Sequence, residues 1–206
     1  MNRSPDRFRL SHALVSAGAA ALALLAPPAQ AAPRTLSVVD ASGQPLADAV
    51  VAIELRGAKP APAAGAVAEM AQRQRQFMPT VLAVQAGTAV SFPNLDSVRH
   101  HVYSFSPTKT FELKLYAGTP AAPVLFDKPG VAALGCNIHD KMAAWVVVVD
   151  TPLFAKTDGD GRAQLDIPDG EHRVKLWHAS LRESMQEQPL HADAPSLTLR
   201  LAAVRP

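Results

Sequence analysis

Short runs that alternate between apolar and polar residues recur along the chain, and they predict β-strands. Residues 100–105 and 111–116 alternate in this way, whereas residues 145–149 form a nearly continuous apolar run. Glycine and proline separate these runs at short intervals. Short strands punctuated by turn residues are typical of β-sandwiches. We therefore predict an all-β fold, and no run after residue 31 predicts a helix.

The rest of the pattern predicts further strands and one linker. Residues 56–65 are rich in alanine, proline and glycine without periodicity, as in a linker. Residues 67–77 are expected to supply the first strand of a central sandwich. Within them residues 72–76 are entirely polar, and they predict either a solvated edge strand or an arm close to the site discussed below. Further strands are expected at residues 35–40, 47–55, 81–84, 89–92, 124–126, 131–134, 163–167, 172–178 and 196–201.

The N-terminal segment has the composition of a secretory signal peptide. Arginines come first, an apolar run over residues 13–25 follows, and Ala29-Gln30-Ala31 ends the segment. This order predicts cleavage after about Ala31 and export, which places the mature protein in the periplasm. The apolar run is shorter than the roughly 20 residues of a membrane-spanning helix, so no membrane insertion is expected after cleavage.

Charge excludes some classes of partner. Without the three arginines and one aspartate of the signal segment, the formal net charge of +2 falls to zero. A neutral chain with scattered charges has no general attraction for nucleic acid or anionic lipid. About half of the residues are apolar, which is enough for one or two buried cores in a mature chain of this size.

Candidate chemistry is concentrated in residues 135–142, Gly-Cys-Asn-Ile-His-Asp-Lys-Met. Cys136 is the single cysteine, so it cannot form an intramolecular disulfide in an exported protein. His139 follows three residues later and Met142 three residues after that. Thiolate, imidazole and thioether suit copper, with the thioether as a weak, long axial ligand. The spacing therefore predicts a copper site at Cys136, His139 and Met142.

A second imidazole is needed to complete such a site, and the adjacent pair His100 and His101 offers one. Neighbouring side chains of a strand point to opposite faces, so only one of the two can face the cysteine loop. The spacing leaves open which one does.

These motifs resemble the cupredoxins. Residues 67–102 contain Phe-x-Pro, Gly-x-x-Val-x-Phe and Asn-x-Asp-x-x-x-His steps, and Cys136-x-x-His139-x-x-Met142 is similar to the short ligand loop of amicyanin-type blue copper proteins. The nearest overall likeness is to plastocyanin-like proteins labelled methylamine-utilisation proteins. The resemblance implies a Greek-key sandwich with one type 1 copper ion held by His100, Cys136, His139 and Met142.

The resemblance also implies a link between the two ligand segments. In blue copper proteins an asparagine after the first histidine bonds to a serine or threonine after the cysteine. Here His101 and Asn137 stand at those places, and a bond between them is the expected substitute.

The two ends of the chain resemble two halves of a second module. Residues 39–50 and 157–170 are similar to parts of transthyretin-like or carboxypeptidase-regulatory-like sandwiches. We therefore expect the cupredoxin to be inserted into a small β-sandwich, the alternative being one cupredoxin with two unrelated extensions. The predicted parts are a signal peptide (1–31), the two pieces of the small sandwich (32–58 and 152–206), a linker (59–65) and the cupredoxin (66–151).

These observations predict a periplasmic type 1 copper protein that carries electrons to a transient redox protein partner. The residues do not suggest an enzyme, because no paired carboxylates, nucleophile–base set or phosphate-binding loop is recognisable. An alternative with the same ligands is a periplasmic copper-binding protein that delivers or stores the metal. A structural or adhesive sandwich with a vestigial site is a third reading.

Overall fold

The computed structural model of the protein describes residues 31–59 and 62–202. These residues form β-strands and one short 3-10 turn, Ala179–Leu181, so the predicted all-β fold is confirmed. The predicted signal peptide lies outside the described residues apart from Ala31. Among the described residues, no helix has the length and apolar character needed to cross a bilayer.

In chain order the strands are β1 (Ala31–Val39), β2 (Val50–Glu54), β3 (Val67–Glu69), β4 (Ala71–Arg73), β5 (Gln76–Met78), β6 (Val81–Gln85), β7 (Thr88–Ser91), β8 (His100–Ser106), β9 (Lys109–Tyr116), β10 (Val124–Phe126), β11 (Gly130–Gly135), β12 (Ala143–Val149), β13 (Phe154–Lys156), β14 (Arg162–Pro168), β15 (Gly170–Trp177), β16 (Gln186–Ala192) and β17 (Ser196–Arg200).

Strands from both ends of the described chain form a small sandwich of two sheets. One sheet has the order β14-β1-β17 and the other the order β13-β2-β15-β16. Strand β1 pairs with β14 and β17, and β2 pairs with β13 and β15. Residues before the central part are thus joined to residues after it, as an insertion requires. The domain boundaries given above stay a prediction.

The central residues form a second sandwich. Its larger sheet has the order β6-β12-β11-β8-β9, and β10-β7-β3 forms the other sheet. Aromatic and branched side chains fill the space between the sheets, and Cys136 and Met142 are buried at the margin of the same cluster. The proposed ligand loop is therefore anchored in a packed core. The largest fully buried side chains of this core are Phe77, Phe92, Phe126, Met70 and Met142.

The two sandwiches share a third apolar cluster. Val147 and Val149 point from β12 toward the small sandwich, whereas Val146 and Val148 point into the central core. Because β12 is covered on both faces, its sequence is continuously apolar rather than alternating. On the other side of the contact Trp177 is fully buried, and its ring lies 5.5 Å from that of Trp145 between centroids.

The polar segment at residues 72–76 belongs to a hairpin rather than to the single strand expected from the sequence. Residues 73–76 are exposed, as a solvated edge predicts, and Gln72 is buried. Residues 67–77 form three short strands, of which β4 and β5 make a hairpin. The chain reverses at Gln74 and Arg75, whose φ angles are 54° and 58°. Gln72 is fully buried because its side chain donates to the carbonyl of Phe92 at 3.2 Å and also contacts the hydroxyl of Tyr116.

Candidate metal centre

The loop that carries the three motif residues connects β11 to β12. Two hydrogen bonds fold it into successive turns: the His139 amide donates to the Cys136 carbonyl at 3.4 Å, and the Met142 amide donates to the His139 carbonyl at 2.9 Å. Gly135 precedes the loop and faces Tyr103, where a Cβ would lie 2.7 Å from the ring. A side chain at that position would require the Tyr103 ring to move.

Pairing of the strands brings a histidine to this loop. Gly135 pairs with Tyr103 of β8, and His100 is the first residue of that strand. The ring centroids of His100 and His139 are 5.0 Å apart, and the Cys136 Sγ lies 3.8 Å from the His139 Nδ1. One potential ligand atom from each of these three residues lies within 4.8 Å of the others. The structure therefore gathers three of the four predicted site residues around one point.

The spacing of these atoms fits a single metal ion. Metal–nitrogen bonds of about 2.0–2.1 Å and a metal–sulfur bond of about 2.3 Å, meeting at about 120°, place nitrogen and sulfur about 3.8 Å apart. The Cys136 Sγ and the His139 Nδ1 already have this separation. One thiol and two imidazoles form a set that suits copper or zinc rather than calcium or magnesium.

An unpartnered nitrogen supports the same fit. The side chain of His100 is fully buried, yet its Nδ1 has no hydrogen-bond partner within the described residues. Leaving a buried polar atom unpaired costs about 1–3 kcal/mol. Gln72 Oε1, His101 Nε2 and Asp150 Oδ1 are also unpaired, so what sets the His100 Nδ1 apart is its place beside the Cys136 thiol and the His139 ring. Coordination of a metal would satisfy this nitrogen.

The fourth predicted residue, Met142, lies in the same core. Its side chain is 2% exposed and packs in the cluster that contains Cys136. The loop itself is exposed at Asn137 and at Ile138, and His139 is half-buried between them and the core. The donor cluster is thus buried on the Cys136 side and reaches the surface through His139.

The adjacent histidines point in opposite directions, as strand geometry predicts. His100 faces the cysteine loop, whereas the His101 Nε2 lies 3.0 Å from the Glu112 Oε1. That pair is close enough for an ion pair but is not aligned as a hydrogen bond, because the same nitrogen has no hydrogen-bond partner. The bond expected between His101 and Asn137 is not found among the described residues, and His101 lies instead beside Glu112 of β9, which does not join the two ligand segments.

Asp96 contacts the histidine that faces the site, and sequence reasoning gave it no role. Its Oδ2 lies 2.7 Å from the His100 Nε2. Burial works to raise the pKa of Asp96, but hydrogen bonds from the Arg75 amide, His100 and the Gln74 amide together hold the pKa below its usual value. Asp96 lies four residues before His100 in the Asn-x-Asp-x-x-x-His step, and this spacing was the available signal.

A half-buried tyrosine, Tyr116, lies next to His100 on the neighbouring strand. The Tyr116 hydroxyl donates to the Phe92 carbonyl at 2.7 Å, and Tyr116 pairs with His100 across β8 and β9. Burial raises the pKa of Tyr116 to about 12, with a smaller contribution from the nearby Cys136. The phenol therefore stays neutral beside the candidate site at ordinary pH.

Comparison with known proteins gives likenesses of fold. No protein-family model and no curated protein matches the chain. It is similar to a purple cupredoxin from Nitrosopumilus maritimus, with 22% identity over 40% of this chain and 99% of that one and a TM-score of 0.36. It is also similar to the reduced state of an amicyanin mutant, with 21% identity over 48% of this chain and 98% of that one and a TM-score of 0.36.

A third likeness is to part of an enzyme. The copper-containing nitrite reductase from Thermus scotoductus SA-01 matches with 23% identity over 54% of this chain and 28% of that one, and the TM-score is 0.37.

Proposed function

We propose that this chain is an exported protein with one type 1 copper ion, held by His100, Cys136, His139 and Met142, and that it carries electrons. The observation that carries the proposal is the unpartnered, fully buried Nδ1 of His100 beside the thiol of Cys136 and the ring of His139. Bound copper would supply a one-electron couple between Cu(I) and Cu(II) at this position.

The surrounding residues suit such a carrier. A packed core holds Cys136 and Met142, so the donors need little rearrangement when the charge of the metal changes. Four protein ligands leave no open position for a substrate, which favours electron transfer over catalysis. His139 is half-buried between the core and the exposed part of the loop, so its ring offers the shortest route from Cys136 to the surface.

We also propose where the transient redox partner binds. Ile138 is 47% exposed next to His139, and Leu95 is 61% exposed in the loop that leads to His100. Apolar side chains around a half-buried ligand form a surface suited to small, short-lived interfaces. The predicted export would place this exchange in the periplasm.

The test is the optical spectrum of the purified chain after loading with Cu(II). We expect an intense thiolate-to-copper absorption band, a reversible one-electron wave, and loss of both in Cys136→Ala. A matched control is Asn137→Ala, an exposed position in the same loop that should keep the band. Absence of the band, together with equal copper binding by Cys136→Ala and the unaltered chain, would refute the proposal.

Copper delivery is the second candidate, and the exposure of the ligand loop favours it. Asn137, Ile138, Asp140 and Lys141 are all exposed, so another protein can approach the donors closely. Fast transfer of Cu(I) to a chelator without a reversible wave would favour delivery. Slow transfer with a reversible wave would favour the electron carrier.

A further inference from the structure

The turn of the β4–β5 hairpin holds a carboxylate. Gln74 and Arg75 both have φ near +55°, so their amide groups point to the same side of the turn. The Gln74 amide donates to the Asp96 Oδ1 at 2.6 Å, and the Arg75 amide donates to the Asp96 Oδ2 at 2.9 Å. Successive amides in a left-handed turn form a concave anion-binding site. Here its ligand is a side chain of the same molecule.

The hairpin is itself fixed to the loop that carries this carboxylate. The Gln72 amide donates to the Pro93 carbonyl at 2.8 Å, and the Leu95 amide donates to the Gln72 carbonyl at 2.9 Å. The Asn94 side chain donates to the carbonyls of Val98 and Tyr116 at 2.8 and 2.9 Å. These bonds leave Asp96 little freedom to move relative to β8 and β9.

The Asp96 carboxylate determines which ring nitrogen of His100 carries the proton and which has a lone pair available for a metal. The Asp96 Oδ2 lies 2.7 Å from the His100 Nε2, and the side chain of Asp96 is only 14% exposed. An ionised carboxylate can only accept hydrogen bonds, so the Nε2 must carry the proton. The lone pair is then on the Nδ1, which is the nitrogen without a partner.

We propose that Asp96, held by the amides of Gln74 and Arg75, is a positioning residue that directs the Nδ1 lone pair of His100 at the metal and favours Cu(II) over Cu(I). A partly buried negative charge stabilises the more highly charged ion more strongly, and a carboxylate behind a ligating imidazole increases its basicity. This inference rests on the proposed function, and it assigns a purpose to the hairpin at residues 71–78.

The first test is made without copper. In the metal-free wild-type protein, nitrogen-15 NMR of the imidazoles should show His100 with its proton on Nε2 at neutral pH. In Asp96→Ala the carboxylate acceptor is lost, and the two tautomers should both be populated. A wild-type His100 with its proton on Nδ1 overturns the proposal, whatever the variants do, and so does an unchanged tautomer in Asp96→Ala.

The second test is the reduction potential of the copper-loaded protein. In Asp96→Asn the affinity for Cu(II) should fall about tenfold more than that for Cu(I), because the loss of a partner behind a ligand typically costs 10–100-fold. A tenfold change raises a one-electron potential by about 59 mV. Asp140→Asn is the matched control, because it removes the same charge from an exposed position of the ligand loop. Equal shifts in the two variants overturn the proposal.

A third variant separates the amides of the turn from its side chains. Gln74→Gly combined with Arg75→Gly keeps both amide donors, and glycine accepts positive φ at no cost. This double variant should therefore keep the wild-type potential and tautomer, and a shift as large as that of Asp96→Asn overturns the role of the amides. Failure of the wild-type chain to give the copper band would count against the proposed function alone, since the metal-free NMR result decides the role of Asp96 independently.

Discussion

The buried hydroxyl of Thr157 in the small sandwich is fully hydrogen-bonded, whereas the candidate metal donors at the end of the central sandwich are not. In the small sandwich the Thr157 hydroxyl accepts from the Ala49 amide at 2.9 Å and donates to the Leu46 carbonyl at 2.6 Å. In the central sandwich the His100 Nδ1 has no partner, and the Cys136 Sγ has only the His139 Nδ1 at 3.8 Å.

The difference separates groups that hold the fold from groups that the proposed function assigns to a metal. A satisfied buried hydrogen bond contributes about 1 kcal/mol to stability, whereas an unsatisfied group costs about 1–3 kcal/mol until something binds it. Mutations in the small sandwich, or in its contact with the central one, should therefore lower the free energy of unfolding. Mutations of Cys136, His139 or His100 should mainly weaken metal binding.

The largest expected effect lies at the contact between the sandwiches. Trp177 is fully buried there, and its indole nitrogen donates to the Arg182 carbonyl at 2.6 Å. Trp177→Ala should lower the free energy of unfolding by about 3–5 kcal/mol, because a large cavity replaces the ring. Denaturant unfolding followed by circular dichroism measures the change. A loss no larger than that of Trp145→Ala, whose ring is only partly buried, would contradict this prediction.

A smaller loss is expected at a satisfied hydroxyl of the small sandwich. Thr157→Val keeps the shape of the side chain but leaves the Ala49 amide and the Leu46 carbonyl without a partner. We expect a loss of about 1–3 kcal/mol in the free energy of unfolding. Thr198→Val, an exposed position on β17, is the control and should change little. If both variants had the same stability, the hydroxyl would have no structural role.

The donor cluster should behave in the opposite way. Cys136→Ser in the metal-free protein should lower the free energy of unfolding by about 1 kcal/mol, because a hydroxyl replaces a buried thiol whose one polar contact is weak. Added copper should raise the melting temperature of the wild-type protein by mass action, and this increase should disappear in Cys136→Ser. A large loss of stability in the metal-free variant would mean that the thiol holds the fold.

The smallest effect is a dependence of stability on pH in the small sandwich. Burial lowers the pKa of His178, against an opposing contribution from Asp48, and its Nδ1 accepts from the Ser180 amide. Stability from this group is complete above the unfolded pKa of 6.5 and is lost as the pH falls through the lower folded pKa. His178→Asn can still cap the turn and should remove this slope, which we expect to be under about 1 kcal/mol. His191→Gln, at an exposed position, should leave the pH dependence of stability unchanged.

Local patterns predicted the fold class and the strand that carries the candidate ligand. Period-2 geometry required His100 and His101 to point to opposite faces, and the structure has them so. The strand β16 was missed because Gln186–Ala192 is mostly polar and contains Pro189. That strand lies at the edge of its sheet, where exposed polar residues and a proline are tolerated.

The Asn-x-Asp-x-x-x-His spacing was the local signal for Asp96, but how its carboxylate is held was not predictable from local pattern. It depends on two amides more than 20 residues upstream, which reach the carboxylate only because residues 71–78 fold back as a hairpin. A polar run such as residues 72–76 indicates a solvated strand by composition alone. Residues 73–76 are indeed exposed, and Gln72 is the residue of this run that turns inward, where it pairs with the loop at Asn94.

The valine-rich contact on β12 has a consequence for molecular encounters. One broad face of the central sandwich is permanently covered by the other sandwich through Val147, Val149 and Trp177. A protein that collides from that side meets the covering sandwich and finds no route to Cys136. If the chain exchanges electrons as proposed, a partner would have to approach from another side, so the covering sandwich would limit the possible partners by shape.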